Sequence, residues 1–97
     1  MSDQQGRDRL YTIVCHYDGA VFPSQVSAHD EQAAAASWAA AFREDRPALK
    51  GSRRLADAVL SEIAATPPTA VEGLSGVWRL SSSARGRPAL INIIRSA

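Results

Sequence analysis

Ninety-seven residues suffice for one hydrophobic core and are too few for two. With 45% hydrophobic residues, 22% charged residues and a net charge of +1, the chain has the composition of an ordinary globule. It lacks the long apolar run of a membrane span and the charge excess of a disordered segment. No apolar stretch follows a basic start, so a cytoplasmic location is the default expectation, and no membrane partner is expected. The lone cysteine, Cys15, rules out an internal disulfide.

Charge is unevenly divided. Residues 1 to 45 hold three Arg against seven acids, a net −4, while residues 46 to 97 hold eight Lys or Arg against three acids, a net +5. Packing of two opposite halves in one domain accounts for this more simply than a nucleic-acid surface does. The preference for arginine over lysine, with abundant alanine, suggests a bacterial genome of high GC content.

In chain order, residues 1 to 9 are polar and without period and read as a flexible tail, leaving residues 10 to 97 as a single α+β domain. Leu10 to Ala28 reads as two strands folded on Asp18-Gly19, because a type I′ turn needs positive φ at both central positions. That turn sets Tyr17 opposite Ala20, Cys15 opposite Phe22, Ile13 opposite Ser24 and Tyr11 opposite Val26, all on one core-facing side. The other side, with Thr12, Val14 and His16 against Gln25, Pro23 and Val21, is more polar. Pro23 falls at a position whose N–H would point away from strand 1, so strand 2 is expected at a sheet edge and strand 1 in the interior.

Asp30 or Ser27 can cap a helix from Glu31 to Asp45, whose stripe is Ala34, Ala35, Trp38, Ala41 and Phe42, with Pro47 ending it. After a loop from Pro47 to Gly51, Ser52 can cap a second helix from Arg53 to about Ala65, with Leu55, Ala56, Val59, Leu60 and Ile63 on its apolar side. Thr66-Pro67-Pro68 stops that helix, and Thr69 to Gly76 reads as a surface loop. A second hairpin follows: Val77 to Ser83, a bulged turn over Ala84 to Arg87 with Gly86 in the left-handed position, then Ala89 to Arg95. The near-continuous run Leu90, Ile91, Ile93, Ile94 suits an interior strand beside strand 1. The expected fold is a two-layer ββααββ arrangement, a four-stranded and mainly antiparallel sheet of order 2-1-4-3 with two helices packed on one face.

No motif for catalysis or cofactor binding stands out. Cys15 and His16 are neighbours in a strand and point to opposite faces, so they do not form a dyad; a small enzyme would need a pocket collecting His16, Asp18 or Cys15. His16 and His29 with one cysteine fall short of a zinc set, and Gly73 and Gly76 lack a phosphate-loop context. The pairs Asp30-Glu31 and Glu44-Asp45 sit at helix ends, where capping and solvation explain them. Neither metal nor cofactor is expected.

Two surface features remain. Arg85 and Arg87 at the distal turn, with Arg79 on the strand before it and Arg53-Arg54 at the second helix start, could grip phosphates, although no aromatic residues are interleaved there to stack bases. Trp78 or Val77, whichever turns out of the core, would offer an apolar anchor. The stretch from Tyr11 to Phe42 loosely resembles the opening of HicB-type antitoxins, through Tyr17-Asp18-Gly19 and the alanine-rich helix. The resemblance covers about a third of the chain; the proline-glycine-cysteine segment and a C-terminal DNA-binding unit of that family are missing, so no family is assigned. The expected function is a small non-enzymatic protein-binding module of the inhibitor, antitoxin or immunity type, with an unknown protein partner or self-association through an edge strand or the alanine-rich helix. A nucleic-acid-binding accessory domain using the basic hairpin is the alternative.

Overall fold

Asp18 and Gly19 adopt φ of 55° and 78°, the positive values that a two-residue type I′ turn demands. Strand β1 (Arg9–Tyr17) therefore folds back on β2 (Ala20–Ala28) in the expected register, with Tyr17 opposite Ala20 and Cys15 opposite Phe22. The structure is a computed structural model and describes residues 8–45 and 52–96. The expected tail lies outside the described residues up to residue 7, and Arg9 already pairs with Ala28 as the first residue of β1. The loop from Pro47 to Gly51 lies outside them as well.

The sheet has five strands, not four. After β1 and β2 come helices α1 (Glu31–Asp45) and α2 (Ser52–Glu62), then β3 (Thr69–Ala70), β4 (Val77–Ala84) and β5 (Arg87–Arg95). The order is β2-β1-β5-β4-β3 with every pairing antiparallel. The added strand β3 lies in the stretch read as a loop: Thr69 and Ala70 pair with Arg79 and Trp78. Two residues are too short to show a period in sequence, and Pro67 and Pro68, without N–H groups, keep the strand from growing toward Ser81. The remaining strands keep the expected neighbours, with β2 at an edge and β5 against β1.

Two boundaries also differ. The second hairpin closes on Arg85-Gly86 alone, with φ of 56° and 73°, so it is a two-residue turn and not a four-residue bulged one. Ala84 pairs with Arg87, and the Ala84 carbonyl accepts a buried hydrogen bond of 2.9 Å from the Tyr17 hydroxyl, which ties the end of β4 to β1 across β5. Helix α2 begins one residue earlier than expected, at Ser52, and stops at Glu62, three residues short of Ala65. The Glu62 carbonyl accepts from both Ala65 and Thr66 N–H groups, a closing turn that leads into Pro67.

Helix α1 starts on the Asp30 cap, whose Oδ1 accepts from the Ala33 N–H at 2.8 Å. Its buried side carries Ala34, Ala35, Trp38, Ala39 and Phe42, while α2 contributes Leu55, Ala56, Val59 and Ile63. Both rest on the sheet face formed by Tyr11, Ile13, Cys15 and Tyr17 of β1, Leu80 of β4 and Ala89, Ile91 and Ile93 of β5. Leu60, expected on the apolar stripe of α2, is 38% exposed, as 3.6-residue geometry leaves it on the shoulder of that stripe. Small alanines let α1 lie close to the sheet, and Trp38 stacks on Phe42 at 5.0 Å while Phe42 meets Phe22 edge-on at 5.7 Å. An Arg43–Asp57 ion pair of 2.8 Å links the two helices.

Candidate protein-docking face

Side chains alternate along a strand, so residues that do not face the helices must face the other way. On β1 these are Leu10, Thr12, Val14 and His16, and on β2 Val21, Pro23, Gln25 and Ser27. On β5 they are Pro88, Leu90, Asn92 and Ile94, and on β4 Val77, Arg79, Ser81 and Ser83. No described helix or strand covers this second face: Val21 is 55% exposed, Leu10 42% and Ile94 36%, whereas Ile13 and Ile93, one residue along from their neighbours on this side, are wholly buried.

The pairing registers bring these residues into rows across the sheet. Val21, His16, Leu90 and Ser81 form one row near the hairpin tips, and Gln25, Thr12, Ile94 and Val77 form another toward the opposite end. Between them run Pro23, Val14, Asn92 and Arg79. Beside the tips, His16, Val21, Leu90 and Ser81 border a shallow groove of about 720 Å³, with Asp18 and Arg87 on its lip.

Electrostatically the face is sparse. It carries no Asp or Glu among its strand residues, and Arg79 is its one permanently charged side chain. Its polar groups are partly matched within the face: Gln25 Nε2 donates to Thr12 Oγ1 at 3.1 Å in the end row, and Arg79 Nε donates to Asn92 Oδ1 at 3.2 Å in the middle row. Such internal pairing lowers the cost of removing water from them. Depletion of charge with exposed apolar side chains, here Val21 at one end and Leu10 and Ile94 at the other, is a feature of association surfaces.

The arginines singled out from sequence do not form one patch. Arg85 is exposed at the tip of the second hairpin, while Arg87 pairs with Asp18 of the first hairpin at 3.0 Å. Arg79 lies on the open face beside Asn92, and Arg53 and Arg54 are exposed at the start of α2, on the helix layer. Trp78 turns to the covered side, 6.1 Å from Tyr11, with the Arg95 guanidinium 5.7 Å from its ring, and it is Val77 that faces out.

Titration follows the same division of faces. Burial pushes the Cys15 thiol up to about 12, far from the thiolate a nucleophile needs, and burial with the Glu31 carboxylate raises the Tyr11 phenol. His16, next to Cys15 in sequence, is exposed on the opposite face, so the two do not meet. Among the described residues no group of three His, Cys, Asp or Glu side chains gathers as a metal would require. No described helix is long and apolar enough to cross a membrane.

Sequence reading placed the more polar side of the first hairpin away from the core but, Arg79 aside, did not single out the residues of the sheet's open face as an interaction surface. Its signal was present in the near-continuous apolar run of β5, since Leu90 and Ile94 cannot share a side with Ile91 and Ile93. No protein-family model, curated protein or solved structure matches the chain.

Proposed function

We propose that this protein is a small non-enzymatic protein-binding module whose docking surface is the helix-free face of its sheet. The carrying observation is that face itself: Leu10, Val14, Val21, Leu90 and Ile94 stand on it with no carboxylate among them, while the helices take the opposite side. Small inhibitors, antitoxins and immunity proteins work in this manner, by occupying another chain and not by turning over a substrate. A sheet face also supports this reading better than the edges do. Pro23 removes the outward donor in the middle of β2, which blunts that edge against strand addition. The alanine-rich side of α1 is spent on the core.

The test is capture of proteins, from the native lysate and from solution, by the tagged full chain and by Val21→Lys. Val21 is more than half exposed, so the substitution leaves the core untouched. Retention of a stoichiometric protein by the parent chain, including a second copy of itself, and its loss with Val21→Lys support the reading. Equal retention by both removes the face from the function. Nucleic acid retained at low salt and released as salt rises would move the basic hairpin to first place.

A further inference from the structure

Resting on the reading of the chain as a protein-binding module, but not on which residues of the open face dock, we infer that the outer edge of β4 from Ser81 to Ala84 takes an extended acidic segment of another protein, added to the sheet as a strand antiparallel to β4. Pairs along β4 and β5 alternate between bonded and non-bonded, starting from the bonded pair Ala84/Arg87 that closes the turn. Ser82 and Leu80 therefore turn their backbone groups to β5, while Ser83, Ser81 and Arg79 turn theirs outward. Arg79 meets Thr69 of β3 there. The same register would set Pro67 opposite Ser81, and Pro67 has no N–H to give. Among the described residues no backbone group bonds Ser81 or Ser83 on that side, and both are exposed. Each leaves an N–H and a C=O at the spacing of another extended chain. That chain ends or turns away just past Ser81, because Thr69 already holds the position opposite Arg79.

Charge selects the segment. Arg79 and Arg85 stand at the two ends of the open stretch, both exposed, and neither pairs with a carboxylate among the described residues. Arg79 uses Nε on Asn92, which leaves the rest of its guanidinium free for an incoming carboxylate. Residues paired across two strands share a face, so the side chain opposite Ser81 projects on the open side and lies diagonal to Arg79. Such diagonal neighbours are about 7–8 Å apart, within reach of a glutamate. A groove of about 410 Å³ lined by Thr66, Pro67, Thr69, Arg79 and Ser81 gives that side chain room. Glu72 also borders the groove, but it follows Val71, which bonds Val77, and so lies on the side of Arg79 away from Ser81.

The next position of the added strand, opposite Ser82, faces the helix layer. There the Glu62 carboxylate accepts from Ser82 Oγ at 3.4 Å, so an acidic side chain is repelled and an apolar one is favoured. The segment that fits thus alternates acidic residues, toward the open side, with apolar ones toward the helices. The other border of the sheet lacks these features: β2 contains no Lys or Arg, and Pro23 interrupts its outward donors.

Titration of the isotope-labelled full chain with the end-blocked peptide Glu-Val-Glu-Val-Glu-Val-Glu, followed by amide NMR, tests the inference. Saturable binding is expected with a dissociation constant of about 1 mM or below, with the largest shifts at the Ser81 and Ser83 amides. The same peptide with Lys in place of Glu should bind at least about tenfold more weakly. So should the parent peptide to Ser83→Pro, which removes one outward donor at the kind of position Pro23 already occupies in β2, with the far-UV circular dichroism unchanged. Peptide N-methylated at its Glu residues, which leaves the protein untouched, should not bind and serves if Ser83→Pro does not fold. Val21 lies at the opposite border of the sheet, so Val21→Lys should bind the peptide within about twofold of the parent chain even where it loses a captured partner, and the two readings fail separately. No binding at millimolar peptide, shifts centred on β2 or on Val21 and Leu90, or equal binding of the N-methylated peptide overturns the inference.

Discussion

The two faces of the sheet are built from the same strands by the same alternation, yet one is closed by two helices and the other is not. On the closed side every large residue of β1, from Tyr11 to Tyr17, is at most 2% exposed, and Trp38 and Phe42 fill the space above them. On the other side Leu10, Val21 and Ile94 are exposed among Thr12, Gln25, Asn92 and Arg79, a more polar set. Hydrophobicity of a strand residue therefore does not tell which layer holds the fold together. The closed side supplies stability to the single chain, while the open side leaves apolar area in contact with solvent.

The largest expected effect tests that contrast directly. Trp38→Ala should cost about 3–5 kcal/mol, as large-to-small changes at closed aromatic sites do, whereas Val21→Thr should stay within about 0.5 kcal/mol for the monomer. Chemical denaturation of the dilute chain measures both, and comparable losses would break the distinction between the faces.

Next comes Cys15, whose neighbour His16 points to the open side. The thiol's ordinary value is 9.0 and burial raises it to about 12, so the unfolded chain gives up this proton first. The contribution is complete below about pH 9 and is lost as pH climbs toward 12. Native Cys15 should therefore resist thiol reagents at neutral pH and react on unfolding, and Cys15→Ala should flatten the alkaline decline. Rapid labelling of the folded chain would place Cys15 on the accessible side.

The smallest effect compares the two turns. Asp18 and Arg85 occupy the same left-handed position, at φ of 55° and 56°, which costs arginine more than it costs aspartate. Arg85→Asn should raise stability by up to about 1 kcal/mol, read as a higher midpoint in denaturant with unchanged slope. A loss instead would mean that the arginine makes a contact that offsets its backbone strain.

Much of the fold was legible because its signals are local. Asp18-Gly19 set the first register, the three-and-four spacing of Ala34, Ala35, Trp38 and Phe42 set the first helix, and Pro23 marked an edge. The misreadings were of features without a local signature. β3 is made by pairing to Arg79 and Trp78 and has no period of its own, and the second turn closes on two residues because Arg85 takes the left-handed conformation that arginine seldom adopts. The candidate site was less legible still. Arginines that look like a group along the chain are separated onto a tip, a sheet face and a helix, and Arg87 is held by Asp18.

By itself the sequence determined the four long strands and the two helices, which side of the first hairpin faces the core, and that β2 would end the sheet, since turn chemistry, periodicity and a missing N–H act over a few residues. Only the tertiary structure decided that Thr69 and Ala70 add a fifth strand beside β4, that Val77 and not Trp78 turns outward, and that the arginines part onto a hairpin tip, a sheet face and a helix. These outcomes depend on pairing between segments far apart in the chain, which no single stretch encodes.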